Sequence, residues 1–346
     1  MWASIFLPLA SVNTSGFPSR STTSTLILRY FPSAAVLLGV TQVTVVVAAA
    51  PLLNGFIKKI KARFQLRQGP PLLQGYRDLA KWLSRSEQVA ESTSFVHVLA
   101  PTGVVAATVT ALLFVPVFRE RTPLTTSGDL IVVIGLLALT RALLTLGGMD
   151  SGGAFGQMGS SRELAIGALV EPVLMLSLAA LALQPQSTRL GEIVAFGDAH
   201  PGSFLSLGWA LAAAAFAVVL VAETGRIPVD NPDTHLELTM IHEAMILEYS
   251  GRYLAFIEWA SQLKLAIFLA LLSNLFFPVG MSASLAAWPL VVGGAAFAAK
   301  VILLAGIVAV VESTNAKLRL FRVPELLMVA FILSLLALIL YFIIGA

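Results

Sequence analysis

VAETGRIPVDNPDTHLELTMIHEAMILEYSGRYLAFIEWASQLK, residues 221–264, is a polar stretch set between two strongly apolar runs. Its acids are Glu223, Asp230, Asp233, Glu237, Glu243, Glu248 and Glu258, and His235 and His242 lie among them. The bases are only Arg226, Arg252 and Lys264. Hydrophobic helices leading in and out make it a loop at a membrane surface. Loops on the inner surface are normally rich in Lys and Arg, so an acidic one asks for a functional reason. Pro228 and Pro232 stiffen its start. Thr234 and Glu237 have the spacing of a capping box, which predicts a helix over roughly 235–249. That helix should end near Ser250 and Gly251, where glycine adopts a left-handed cap.

The rest of the chain supplies the membrane. Of 346 residues, 57% are hydrophobic and 12% charged, and the mean hydropathy is +0.87. Soluble domains are about a quarter charged, so this is an integral membrane protein. A helix needs about 20 apolar residues to cross a bilayer. Suitable segments fall near 31–56, 95–117, 128–148, 163–184, 204–222, 256–277, 288–311 and 324–344. The expected fold is an all-α polytopic membrane protein of about eight transmembrane helices, with one membrane domain over 30–346 behind an N-terminal tail, 1–29. The first ten residues carry no positive charge and precede a Ser/Thr-rich tract over 11–25, which excludes a cleaved signal peptide. No internal repeat is visible, which counts against inverted-repeat transporters. A net charge of +3 is too slight to suggest nucleic acid. Cysteine is absent. The chain therefore forms no disulfide and ligates no iron–sulfur cluster through thiolates, and any redox centre it serves sits on another subunit.

Charge sets the orientation. The first long loop holds Lys58, Lys59, Lys61, Arg63, Arg67, Arg77, Lys81 and Arg85, and the last holds Lys317, Arg319 and Arg322. With eight spans both loops lie on one side, the cytoplasmic one, together with the acidic loop, and both termini face outward. Within the first loop Leu72, Tyr76, Leu79 and Leu83 recur at helical spacing. They predict an amphipathic helix, lying in the interface or packed on other parts of the protein.

Four ionisable residues fall inside predicted spans: Arg141, Glu171, Lys264 and Lys300. Each costs about 2.5–3.5 kcal/mol near a helix centre. Arg141, Glu171 and Lys264 lie on the order of 10 Å in from the cytoplasmic ends of their helices, and Lys300 lies deeper. Charges so placed predict a hydrated half-channel from the acidic loop through Glu171 toward Lys300. The structural alternatives are a helix-locking Arg141–Glu171 pair and a Lys264 that snorkels to the interface. His242-Glu243 begins like a zinc motif, but Ile246 stands where a second histidine is needed, so no metal site is expected. The Gly-rich stretch over 147–159 follows a helix rather than a strand, which excludes a dinucleotide fingerprint. It reads as a flexible loop close to another backbone.

Three motifs then resemble a family. RFQLRQGPPLLQGYRDLAK (63–81), AETGRIPVD (222–230) and EYSG (248–251) look like the corresponding signatures of the complex I subunit 1 family. The continuation VDNPDTHLELTMIHEAMILEYSG departs from respiratory complex I. With Asp150-Ser151-Gly152 and Gly159-Ser160-Ser161-Arg162-Glu163, it is similar to the membrane subunit of formate hydrogenlyase and related group 4 energy-converting [NiFe] hydrogenases. The resemblance implies a subunit of a bacterial or archaeal plasma membrane that anchors a soluble redox arm and links its electron transfer to ion translocation. Implied partners are the hydrogenase large and small subunits, an iron–sulfur subunit and antiporter-like membrane subunits. The [NiFe] centre and [4Fe–4S] clusters belong to those partners. Glu223, Asp230, Glu237, Glu243 and Glu248 are the implied acidic path, with Glu171 as its intramembrane acid; Arg141, Lys264 and Lys300 join them as the charges within the spans. Arg63, Arg67, Gln68, Gly69, Pro70, Arg77, Asp78, Lys81, Arg226, Asp233, His235, His242 and Arg252 are the implied docking residues. In complex I relatives the corresponding cavity binds quinone, whereas the hydrogenases are not thought to need one. The rival readings are the quinone-site subunit of a respiratory NADH dehydrogenase and a stand-alone secondary transporter.

Overall fold

Helices, most of them apolar, account for most of the described residues, because a backbone inside lipid must satisfy its own hydrogen bonds. The computed structural model describes residues 33–118, 129–203, 206–231, 240–281 and 287–344. The elements are α1 (Ser33–Phe64), α2 (Gln74–Leu83), α3 (Phe95–Phe114), α4 (Leu130–Asp150), α5 (Ala154–Ala182) and α6 (Leu190–Ala199). They continue as α7 (Leu207–Glu223), α8 (His242–Ile246), α9 (Gly251–Leu271), α10 (Ala287–Thr314) and α11 (Val323–Ile344). Among the described residues, seven helices are long and apolar enough to cross a membrane, and α7, at 17 residues, is a shorter apolar helix beside them. The protein is an all-α polytopic membrane protein.

Several boundaries differ from the sequence reading, each for a local reason. Helix α1 runs on to Phe64 because nothing in its basic tail breaks it, so Lys58, Lys61 and Arg63 ride on helix rather than loop. The chain turns only at Leu66, whose φ is 56°. Helix α6 was not anticipated: ten residues are too few to span a bilayer, yet Leu190, Ile193 and Val194 are buried. Helix α2 is amphipathic as expected and lies against α1 and α9, with Leu79 buried and the Tyr76 hydroxyl donating to the Ala48 carbonyl.

Two expectations about loops are corrected. The stretch 147–159 is no flexible loop: it is the end of α4, a tight turn with Gly152 at φ 74°, and the start of α5. Its glycines let two helices touch. A Cβ on Gly156 would strike the Gly148 carbonyl, and one on Gly148 would lie 2.8 Å from Ser160 Oγ. The helix expected over 235–249 is, within the described residues, only the five-residue α8; positions 232–239 lie outside the described residues. Gly251 does adopt a left-handed conformation, at φ 52°, but as the first residue of α9. A side chain there would meet the Ser86 carbonyl at 2.6 Å.

One end of the bundle gathers α2, α8, the C-termini of α1, α4, α7 and α10, and the N-termini of α3, α5, α9 and α11. Asp150 at the foot of α4 helps to pin that end. Its carboxylate accepts from the Ser94 and His97 backbone N–H groups (2.8 and 3.2 Å) and from the Ser94 hydroxyl (2.6 Å) at the start of α3. The core of the bundle is sealed by Phe216 of α7 with Phe268 and Phe276, whose rings lie 5.8 and 5.2 Å from it.

Candidate functional site

Arg141 is the hub. It projects from α4 and is 7% exposed. Its Nε lies 3.3 Å from Glu163 and its Nη1 2.7 Å from Glu171, both on α5, while Nη2 contacts Glu223, the last residue of α7. Gly167, between the two α5 acids, makes room: a Cβ there would sit 2.9 Å from Arg141 Cδ. The other oxygen of Glu223 meets Lys264 of α9 at 2.6 Å. Four helices thus converge on three carboxylates and two cations. The planar guanidinium suits this role, since its fork of donors reaches several carboxylates at fixed angles. Within the cluster exposure is graded, from 2% for the Glu223 side chain through 19% for Glu163 to 43% for Glu171. Glu171 therefore opens onto the outer surface of the bundle, and Glu223 is sealed inside it.

Two cavities flank the cluster. One, of about 30 Å³, is lined by Thr108, Thr140, Arg141, Glu163, Glu223 and Lys264, together with Thr224, His242 and Ser261. That volume is about the share of one liquid water, and polar walls are what an internal water needs. The other, of about 500 Å³, lies between α1, α2, α9 and residues 224–226, 230 and 242–243. Its walls carry Lys58, Lys61, Asp78, Arg226, Asp230, Glu243, Glu258 and Glu312. There Glu312 of α10 receives Arg226 and lies 3.6 Å from Lys61, while Arg226 also donates to Asn54 Oδ1 at 3.1 Å. Asp230, 2% exposed, accepts from the Ile241 and His242 backbone N–H groups at 3.2 and 3.1 Å and pairs with Lys317 at 3.1 Å. This carboxylate ties the 226–231 turn to the start of α8.

The remaining candidates distribute unevenly. Arg63, Arg67, Gln68, Arg77 and Lys81 are exposed, Gly69 and Pro70 are partly buried, and Asp78 accepts from Gln74 Nε2 at 2.8 Å. Arg252 forms a two-pronged bond with Glu87 at 2.9 and 2.8 Å, which holds that carboxyl below the ordinary range. Glu248 is exposed and its carboxylate sits against Gly153. Asp233, His235 and Glu237 lie outside the described residues. Lys300 is not brought to Glu171. Its ammonium donates to the Ser273 and Phe277 carbonyls (3.3 and 3.0 Å) and to Asn274 Oδ1 (2.9 Å), around the π-turn that ends α9. Among the described residues, no group of three or more His, Cys, Asp or Glu side chains is placed to hold a metal.

Glu163 and Glu312 are the site residues that sequence reasoning missed. Glu163 is an acid nine residues inside an apolar helix and Glu312 one in the last turn of another. Glu163 was assigned to the foot of its helix because the start of α5 was placed nine residues late. Glu312 falls one residue beyond the span expected over 288–311.

The family model described as NADH dehydrogenase matches residues 36–343. Hydrogenase-4 component C of Escherichia coli (strain K12) is 33% identical over 310 residues, 87% of this chain and 94% of that one. Formate hydrogenlyase subunit 4 of the same organism is 33% identical over 286 residues, 82% of this chain and 92% of that one. NADH-quinone oxidoreductase subunit 8 of Rhodothermus marinus is 26% identical over 232 residues, 64% of this chain and 66% of that one. In fold, the chain is similar to a chain of the membrane-bound sulfane sulfur reductase, an archaeal respiratory membrane complex. The TM-score is 0.76 at 23% identity, covering 88% of this chain and 99% of that one.

Proposed function

The chain belongs to the NADH dehydrogenase family, and from that premise we propose that it is the membrane-anchoring, proton-coupling subunit of a multisubunit [NiFe] hydrogenase of the formate-hydrogenlyase type. The near full-length similarity to hydrogenase-4 component C and formate hydrogenlyase subunit 4 supports the assembly. The buried cluster supports the coupling. Three carboxylates share two cations there, so a charge added nearby alters the balance of attraction and repulsion that holds the cluster. An electron arriving on an iron–sulfur cluster of a docked partner is such a charge. With no cysteine, this chain leaves that cluster and the [NiFe] centre to its partners.

The single observation that carries the reading is Glu223, sealed at 2% exposure between Arg141 and Lys264. A purely structural ion pair gains little from such burial, since desolvation offsets most of the attraction. In this reading the end bearing α2 and α8 faces the cytoplasm and receives the soluble arm, through the exposed Arg63, Arg67, Arg77 and Lys81. Glu171, open on the side of the bundle, faces an antiporter-like neighbour in the membrane. In this reading the 500 Å³ cavity is the counterpart of the quinone cavity of complex I relatives, but nine ionisable side chains in its walls suit water better than an apolar headgroup and tail. No step is routed through a quinone.

The test is Glu223→Gln in the purified complex reconstituted in vesicles, comparing hydrogen evolution with proton movement. Hydrogen evolution should persist in the presence of an uncoupler while the proton yield per hydrogen falls about tenfold or more. A wild-type yield would remove the cluster from the pathway.

A further inference from the structure

Building on the coupling reading, we infer that His242 is the proton carrier between the large cavity and the buried cluster. The two cavities share three wall residues, Thr224, His242 and Ser261, and of these only the imidazole has two separate nitrogens, one to accept a proton on one side while the other donates on the opposite side. Glu223 itself is too enclosed to meet the large cavity directly.

The local structure places His242 in that partition. The backbone of His242 is held by Asp230, through the 3.1 Å bond from its N–H. Behind it the turn after α7 takes Gly225 through φ 58°, and a Cβ built there would lie 3.6 Å from the His242 Cβ. The turn that follows Glu223 therefore packs against the histidine at the start of α8. The Thr224 hydroxyl donates to the Leu220 carbonyl at 2.7 Å, which leaves its lone pairs facing the partition as acceptors. Ser261 stands on α9 one turn before Lys264.

A neutral imidazole accepts on one nitrogen while donating from the other. It takes a proton from the large-cavity side and releases the proton of its opposite nitrogen inward, across the one-water cavity, to Glu223. A half-turn of the ring about χ2 then exchanges its two nitrogens and restores the starting arrangement, with no proton carried back. No other co-reactant is consumed, and the net change is one proton moved from cavity to cluster.

The experiment uses the intact complex in vesicles and reads protons moved per hydrogen evolved, with Glu223→Gln alongside. His242→Ala should lower the yield about tenfold or more, and added imidazole, which reaches the site through the large cavity, should restore it in His242→Ala but not in Glu223→Gln. If His242→Ala keeps the wild-type yield while Glu223→Gln loses it, the carrier role is overturned and the coupling reading stands. If Glu223→Gln pumps normally, both fall. Loss in His242→Ala with no response to imidazole assigns the histidine a structural role and also overturns the carrier. Should that variant fail to assemble, Ser261→Val decides: its methyls dry the partition, so a wild-type yield refutes the inference and a reduced one supports it.

Discussion

Replacing Arg141 by leucine tests whether the bundle depends on its charge hub. Leucine fits an apolar helix interior, so the effect isolates the guanidinium. The substitution strands Glu163 and Glu171, whose ion-pair partner in the cluster is Arg141, and leaves Glu223 with Lys264 alone. At the 2.7 Å of the Glu171 contact, a unit pair is worth about 6 kcal/mol at an effective dielectric of 20, before desolvation is subtracted. Breaking one partner of a buried pair nets about 3–5 kcal/mol, or two to three and a half powers of ten in an equilibrium. Exposed Glu171 recovers part of its hydration, so the lower half of that range is expected. Membrane complexes unfold irreversibly, so the assay is survival of the intact complex in detergent after timed heating. Arg141→Leu should lose it at markedly lower temperature. Adding Glu163→Gln should return part of the loss, about 0.5–3 kcal/mol of coupling, because one stranded acid is removed. Wild-type heat survival, or strict additivity of the two changes, refutes the hub.

Two further predictions concern other parts of the bundle. Lys300→Met should lower heat survival of the complex, since two carbonyls and Asn274 lose a donor at a cost of about 1–3 kcal/mol for each group left unsatisfied; the proton yield should not change, and a selective loss of yield would return Lys300 to the pathway. Gly159→Ala should destabilise by about 1–3 kcal/mol, because its Cβ would lie 2.8 Å from both Ala244 Cβ and the Ile241 carbonyl. Gly135→Ala is its control: nothing lies within 4 Å of a Cβ there, so heat survival should hold or rise by up to about 1 kcal/mol.

The candidate site was half legible. Arg141, Glu171 and Lys264 announced themselves because each is a charge in an apolar run, and that cost is local to the residue. Glu223 and Asp230 were visible as acids in a motif, yet nothing in the motif told that one seals into the core and the other clasps α8. Lys300 shows the limit most clearly. Its depth in the seventh span suggested a proton path, but a cation is equally needed where a helix ends in a π-turn and leaves carbonyls unpaired. Which of these it serves depends on where α9 ends, about 10 Å of helix rise beyond Lys264. Arg252 and His242, grouped together as docking residues, also separate: the first pairs with Glu87 of its own chain, the second lines two cavities.

Composition and hydropathy determined by themselves that this is a helical membrane protein, because the bilayer penalises unsatisfied backbone and so leaves one solution for long apolar runs. The family motifs and the loops that hold them were likewise legible in the order of residues. Only the tertiary structure decided which charges meet. Glu163, Glu171, Glu223, Lys264 and Arg141 come from four helices, and their encounter depends on crossings that glycines such as Gly148, Gly156 and Gly167 permit. Contact at such crossings is set by a few ångströms of helix approach, which no one-dimensional pattern contains.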